Sequence, residues 1–289
     1  MKKHFRAPHP GRILLYALLI LAAVLVLLPI VLTFLYSFFP PTEIAAYLKT
    51  RNNYSADQFM DLLLSPARVS LRQYYTVLIE KPMYLNLFVN SAKYTAAILL
   101  GQALVIPMTA YALSRFRFHG RDALFFSILM LMLMPFQVIM APSVITMRML
   151  GLMNTVWAVI LPMIFSPFYI FLLRQFMIGL PNELLEAGMI DGAGTGRCFL
   201  HIVLPVCRPI LGAAVALSFA DCWNMVEQPL IYLGASPNQQ PLSVVFNQLS
   251  TENADVAFAG AALYLLPALL IYRYFQEDIL LGVQLSELK

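Results

Sequence analysis

Hydrophobic residues gather in six long runs, at about 13–39, 86–113, 123–147, 154–178, 209–233 and 257–275, with polar stretches between them. Each run approaches or exceeds the ~20 residues that carry a helix across a ~30 Å hydrocarbon core. None shows the two-residue alternation of a barrel strand, so helices are the expected way to satisfy the backbone in lipid. The first run exceeds the roughly 7–15 residues of a signal-peptide core and no small-x-small cleavage site follows it. It is expected to remain as a membrane helix. Pro29, Pro107, Pro135 and Pro162 fall within or at the edges of these runs, where packed neighbours resupply a lost hydrogen bond. The pattern predicts an all-α integral membrane protein with six transmembrane helices.

Composition supports this reading. The 289 residues are 60% hydrophobic and 12% charged, against roughly 45–50% and about 25% in ordinary globular domains. The basic residues then orient the chain. Lys2, Lys3, Arg6 and Arg12 precede the first run, and Arg115, Arg117 and Arg121 follow the second. Excess Lys and Arg mark cytoplasmic loops, so six spans bring both termini inside, together with residues 179–208. The connection at 234–256 has no Lys or Arg, as expected outside. The segment 40–85 carries Lys49, Arg51, Arg68, Arg72 and Lys81, which runs against this scheme, but segments this long cross despite their charge.

Candidate chemistry is sparse. Cys198, Cys207 and Cys222 show no CxxC spacing, and His4, His9, His119 and His201 form no HExxH-like pair. Neither a metal site nor a catalytic cluster is indicated. The stretch EAGMIDGAGTGRCFLHIVLP at 186–205 contains Gly192, Gly194 and Gly196, but no strand precedes them and no GxxxxGK[ST] occurs in the chain, so a nucleotide site is disfavoured. The glycines read better as a helix end. A short helix near 183–190 is expected, with Asn182 capping its first turn, Gly192 in the left-handed position after its last, and Thr195 starting a second helix. Glu183 and Glu186 would share one side, and Leu184, Leu185, Gly188 and Met189 the other. That describes either a docking helix or an ordinary surface helix.

In the fifth run, Asp221, Asn224, Glu227 and Gln228 would fall within about 120° of one helical face. Ionised groups within a span cost roughly 2.5–3.5 kcal/mol each on insertion scales and face protein or a water-filled cavity. They line a pathway, hold a partner subunit, or, for Glu227 and Gln228, meet outside water.

The stretch at 186–205 resembles the EAA loop of permease subunits in ATP-binding-cassette importers, whose pattern is EAA, three residues, Gly, nine residues, Ile, one residue, Leu-Pro. Here these are Glu186-Ala187-Gly188, Gly192, Ile202 and Leu204-Pro205. Gly188 replaces the second alanine, which is expected to loosen the helix by about 1 kcal/mol. YALSRFRFHGR at 111–121 is similar to the segment after the second span of carbohydrate-uptake permeases of the maltose-importer type. VSLRQYYTVLIEKPMYLNLFVNS at 69–91, ending in Asn90-Ser91, resembles their approach to that span. Trp223-Asn224 followed by Pro229-Leu230 resembles their fifth span, with Met225 where an acidic residue is common. The portion at 40–68 has no such counterpart.

The resemblance implies a type I ABC importer (MetI-like) permease fold, with both termini cytoplasmic. It gives an N-terminal segment 1–12, a transmembrane domain 13–275 with the outer segment 40–85 and the coupling loop 179–208, and a tail 276–289. It implies that the loop docks on a separate ATPase, with Glu186 pairing to a basic residue and Ala187, Gly188, Asp191, Gly192 and Ala193 shaping the contact. The implied partners are a second permease, two ATP-binding-cassette ATPase subunits that bind ATP and Mg, an extracytoplasmic solute-binding protein met by the loop at 234–256, and membrane lipid. No cofactor of this chain and no nucleic acid are expected. The expected setting is a bacterial or archaeal cytoplasmic membrane. The expected cargo is a sugar or oligosaccharide, the alternative another polar solute such as a phosphorylated polyol. An ion-driven secondary transporter, the alternative of a different class, usually carries internal repeats, and no convincing repeat is found.

Overall fold

The computed structural model describes residues 10–52, 64–247 and 254–287, and among them no strand occurs. The chain divides into two compact units, Met1–Pro82 with Leu249–Tyr264, and Met83–Gln248 with Leu265–Lys289. The expected contributions of Lys2, Lys3 and Arg6 lie outside the described residues.

The first unit begins with α1 (Pro10–Tyr36), a 27-residue helix with Pro29 inside it. Its apolar part is exposed on all sides, the condition of a helix bathed in lipid or covered by another subunit. Next come α2 (Pro41–Asn52) and α3 (Arg72–Tyr75), the latter continuing into a π-turn at Thr76–Glu80. Tyr36, Phe39 and Ile44 form a small core with Phe258 packed against it. Gln73, fully buried, donates to the carbonyls of Tyr36 and Phe39 at 2.8 and 3.0 Å and accepts from the Ala259 N–H at 3.3 Å. A buried amide must find partners for both its ends, and these three bonds pin the chain where α1 stops. So part of the portion at 40–68, which has no counterpart in the resembled family, is packed structure at Ile44.

The second unit is built around α4 (Pro82–Arg115), 34 residues long with Pro107 inside it. It is followed by α5 (Arg121–Leu133), α6 (Phe136–Met149), α7 (Val156–Ile164) and α8 (Pro167–Ile178). A polar helical segment follows: α9 (Asn182–Ile190), α10 (Thr195–Cys198), a π-turn at Phe199–Val203, and α11 (Leu204–Val206). The chain continues through α12 (Arg208–Trp223), α13 (Glu227–Tyr232) and α14 (Leu242–Asn247). The long α15 (Ala254–Glu287) ends the described chain. It runs without interruption past residue 275, where a separate tail is expected from the sequence.

Two buried clusters hold this unit. One joins Ile106, Tyr111 and Leu113 of α4 to Ile170, Leu173 and Met177 of α8 and to Leu185, Cys198 and Phe199 of the polar segment. The other joins Tyr94 and Ile98 to Val159, Cys222, Met225 and Tyr232. All three cysteines are free and buried.

Among the described residues, four helical stretches are long and apolar enough to cross a membrane: Leu14–Tyr36, Pro82–Arg115, Val156–Ile178 and Val256–Gly282. Two further candidates are bent pairs, Arg121–Leu133 with Phe136–Met149 at 110°, and Thr195–Val206 with Arg208–Trp223 at 74°. The candidate spans among the described residues thus number four to six. The run at 123–147 is therefore not one straight helix. Met134 stands before Pro135 with extended backbone, φ −73° and ψ 131°, as the proline ring forces on the residue preceding it. The fifth run is likewise interrupted, because α12 ends at Trp223 and α13 begins only at Glu227.

Candidate functional site

The polar segment at 182–206 has a fixed backbone and an open apolar face. After Ile190 the helix closes in a Schellman turn. Gly192 takes φ +81°, its N–H reaches the Met189 carbonyl at 3.0 Å, and the Ala193 N–H reaches the Gly188 carbonyl at 2.9 Å. This is the left-handed position expected for Gly192, and a side chain there would cost about 1–2 kcal/mol. Thr195 opens α10, as expected, with Gly194 at its N-cap.

Two details differ from the sequence reading. Asn182 does not cap α9, which has Pro181 at its N-cap and no side-chain cap bond. Its side-chain oxygen instead accepts from Arg115 Nη1 at 2.6 Å. Gly188, expected to loosen the helix, serves close packing. A Cβ built there would lie 2.5 Å from Ile202 Cδ1 and 3.4 Å from Cys198 Sγ. The missing methyl lets the π-turn at 199–203 lie close against α9.

Which surface remains open follows from burial. Leu185 turns inward at 8% exposure, while Leu184, Met189 and Ile190 stand at 44%, 52% and 86%. Glu183, Glu186, Ala187 and Asp191 are exposed beside them, and Ala193 packs partly against the core. Apolar side chains rimmed by carboxylates and held on a rigid turn form a surface suited to docking.

Arg115 positions this surface, and sequence reasoning missed it. At the end of α4, its guanidinium donates from Nη2 to the carbonyls of Met177 and Leu180 at 2.6 and 2.7 Å, besides the Asn182 bond. Residue 181 is proline and offers the Met177 carbonyl no N–H, so that carbonyl is held by the Leu180 N–H at 3.3 Å together with Arg115. Pro181 was the available signal, because it withholds an N–H at the exit of α8.

A matching arrangement fastens the loop after α13. Asn86 and Asn90 donate to the Asn238 carbonyl at 3.1 and 2.9 Å, Asn90 also to that of Gln240 at 3.2 Å, and the Tyr94 hydroxyl to that of Gln239 at 2.7 Å. Ser91 Oγ accepts from the Leu242 N–H at 2.9 Å, and Asn154 Oδ1 from the Ala235 N–H at 3.3 Å. Leu242, Ser243 and Val244 are buried. The first part of the polar stretch 234–256 is therefore tied down, and Asn90-Ser91 has a structural task. Residues 248–253 lie outside the described residues.

Asp221, Asn224, Glu227 and Gln228 do not share one helical face, because the break at Asn224–Val226 interrupts the helical rotation. Asp221 is exposed on this chain, and its Oδ2 accepts from the Tyr169 hydroxyl at 2.7 Å. That bond sets the last turn of α12 beside the first turn of α8. Asn224 is exposed and its amide donates to the Ala220 carbonyl at 3.0 Å. Glu227 is exposed and Gln228 partly so. Among the described residues no group of three or more His, Cys, Asp or Glu side chains converges to hold a metal.

Residues 82–279 match the family described as the binding-protein-dependent transport system inner membrane component. The chain is 31% identical over 270 residues to the arabinooligosaccharides transport system permease protein AraQ of Halalkalibacterium halodurans, covering 92% of each chain. It is 28% identical over 233 residues to the AraQ protein of Bacillus subtilis, covering 80% of this chain and 83% of that one. It is 31% identical over 205 residues to the sn-glycerol-3-phosphate transport system permease protein UgpE of Yersinia pestis bv. Antiqua, covering 70% and 73%. Its fold is similar to that of a chain in the crystal structure of a bacterial ABC transporter involved in the import of the acidic polysaccharide alginate. The TM-score is 0.79 at 22% identity, covering 96% of this chain and 99% of that one.

Proposed function

The chain belongs to the family of binding-protein-dependent transport system inner membrane components, and on that premise we propose that it is one permease subunit of an ATP-driven carbohydrate importer. It is a transport component rather than an enzyme. The observation that carries the cargo class is the identity to a permease named for arabinooligosaccharides, spread over 92% of both chains.

In this reading each bent pair is one span, giving six, and both termini lie in the cytoplasm of a bacterial or archaeal cell. Residues 1–12 and 276–289 flank a transmembrane domain at 13–275. The chain pairs with a second, different permease. Two ATPase subunits bind ATP and Mg, and an extracytoplasmic binding protein delivers cargo to the side bearing the loop at 234–256. Glu186 meets a basic residue of the ATPase. Leu184, Met189 and Ile190, with Ala187, Gly188, Asp191, Gly192 and Ala193, fill the contact. ATP binding favours the closed ATPase pair, and the docked turn passes that closure to the spans as a shift between inward and outward facings. Asp221, Asn224, Glu227 and Gln228 line the pathway or meet the second permease, which agrees with their exposure on the single chain.

A charge-assisted contact contributes about 1.5–3 kcal/mol. Glu186→Ala is therefore expected to lower transport and ATPase coupling in the reconstituted complex at least tenfold, and unchanged values would remove the docking role. The similarity to a glycerol-phosphate permease supports a second cargo reading. Uptake of labelled arabinooligosaccharide challenged with sn-glycerol 3-phosphate separates the two: the carbohydrate reading expects uptake that the phosphate ester does not compete.

A further inference from the structure

α4 fastens other elements at three levels along its length. Near its start, Asn86, Asn90, Ser91 and Tyr94 hold the backbone of the loop at 238–242. In its middle, Gln102 donates to the Met163 carbonyl at 2.7 Å and accepts from the buried Ser218 hydroxyl. At its end, Arg115 holds Met177, Leu180 and Asn182.

At the middle level the side chain serves a carbonyl that a proline has left without its helical donor. Met163 stands four residues before Pro167, where α7 gives way to α8. Such a carbonyl inside a membrane has no water to turn to, so the side chain that serves it becomes a fixed joint. Gln102 is buried and bonded at both ends of its amide, which ties the middle of α4 to both α7 and α12.

We infer that α4 is the rigid link between the face that receives the binding protein and the turn that receives the ATPase, with Asn90, Tyr94 and Arg115 as its positioning residues. The inference rests on the permease reading above. The first and last joints, Asn90 and Arg115, lie on one continuous helix, separated by roughly 38 Å at about 1.5 Å rise per residue. Neither joint touches the other, and α4, with the elements that Gln102 ties to it, is a continuous connection between them. Because coupling between two sites is reciprocal, nucleotide trapping at the ATPase shifts the loop at 238–242, and loosening that loop blunts the response of α9.

The test uses the complete transporter in nanodiscs, with hydrogen exchange followed by mass spectrometry before and after trapping with Mg-ATP and vanadate. In the unaltered complex, trapping is expected to change amide exchange at 238–242 several-fold. Arg115→Lys keeps the charge but cannot reproduce the forked contact, and it is expected to reduce that change at least fivefold. The double variant Asn90→Ala and Tyr94→Phe, remote from the ATPase, is expected to reduce the change at 182–193 by a similar factor while basal ATP hydrolysis is retained. A loop that responds fully in Arg115→Lys, or an α9 that responds fully in the double variant, overturns the link and leaves the permease reading intact. A purified complex without any ATPase overturns both.

Discussion

The two ends of α4 solve the same problem in opposite ways. At residue 115 one guanidinium makes three bonds, two of them to carbonyls at the exit of α8. At residues 86–94 four neutral side chains share the backbone of 238–242, and two of them, Asn86 and Asn90, serve the same carbonyl. The first anchor is concentrated and charge-assisted, and the second is distributed and redundant. A concentrated anchor fails all at once, and a distributed one weakens by degrees. The turn proposed to dock the ATPase has the first kind.

Arg115→Ala tests the concentrated end and carries the largest expected effect. Charged hydrogen bonds contribute about 1.5–3 kcal/mol each but are not additive. Amide protection over 177–190 is therefore expected to fall about a hundredfold by hydrogen exchange. Next is Gly192→Val, which forces a β-branched residue into a left-handed position at a cost of about 1–2 kcal/mol. Its expected mark is weakened retention of the ATPase, roughly five- to tenfold, measured by titrating the purified permease pair with the ATPase.

The distributed end should respond less. Asn90→Ala with Tyr94→Phe removes three neutral bonds worth about 1 kcal/mol each before compensation by Asn86. Exchange at 238–242 should rise about tenfold and exchange at 177–190 should rise less. The smallest effect is expected at Gly188→Ala. Restoring alanine gains up to about 1 kcal/mol of helix propensity, but Ile202 Cδ1 must move from 2.5 Å. Because that atom ends a flexible side chain, thermal stability in detergent should change by no more than a few degrees. A large loss would mean that Ile202 cannot turn away.

The apolar runs of the four long candidate spans were legible because a span must be long and apolar, and the Gly192 turn because a positive φ all but demands glycine. The breaks were harder to read. Pro29, Pro107 and Pro162 sit inside helices, while Pro135 and Pro167 stand at interruptions. The residue type is the same, and what surrounds each proline differs. Arg115 was hard to read for a related reason. Its partners at 177 and 180 are backbone carbonyls, which every residue carries, so no side-chain pattern marks them. The shared face of Asp221, Asn224, Glu227 and Gln228 failed because a helical projection assumes an unbroken helix, and α12 stops at Trp223.

The most direct test of the central claim is purification of the chain from its native membrane in mild detergent, with mass spectrometry of what accompanies it. The account predicts an ATP-binding-cassette ATPase and a second permease in the same particle, both lost when Glu186 to Ala193 is disrupted. Recovery of this chain alone, still transporting on an ion gradient, would contradict it.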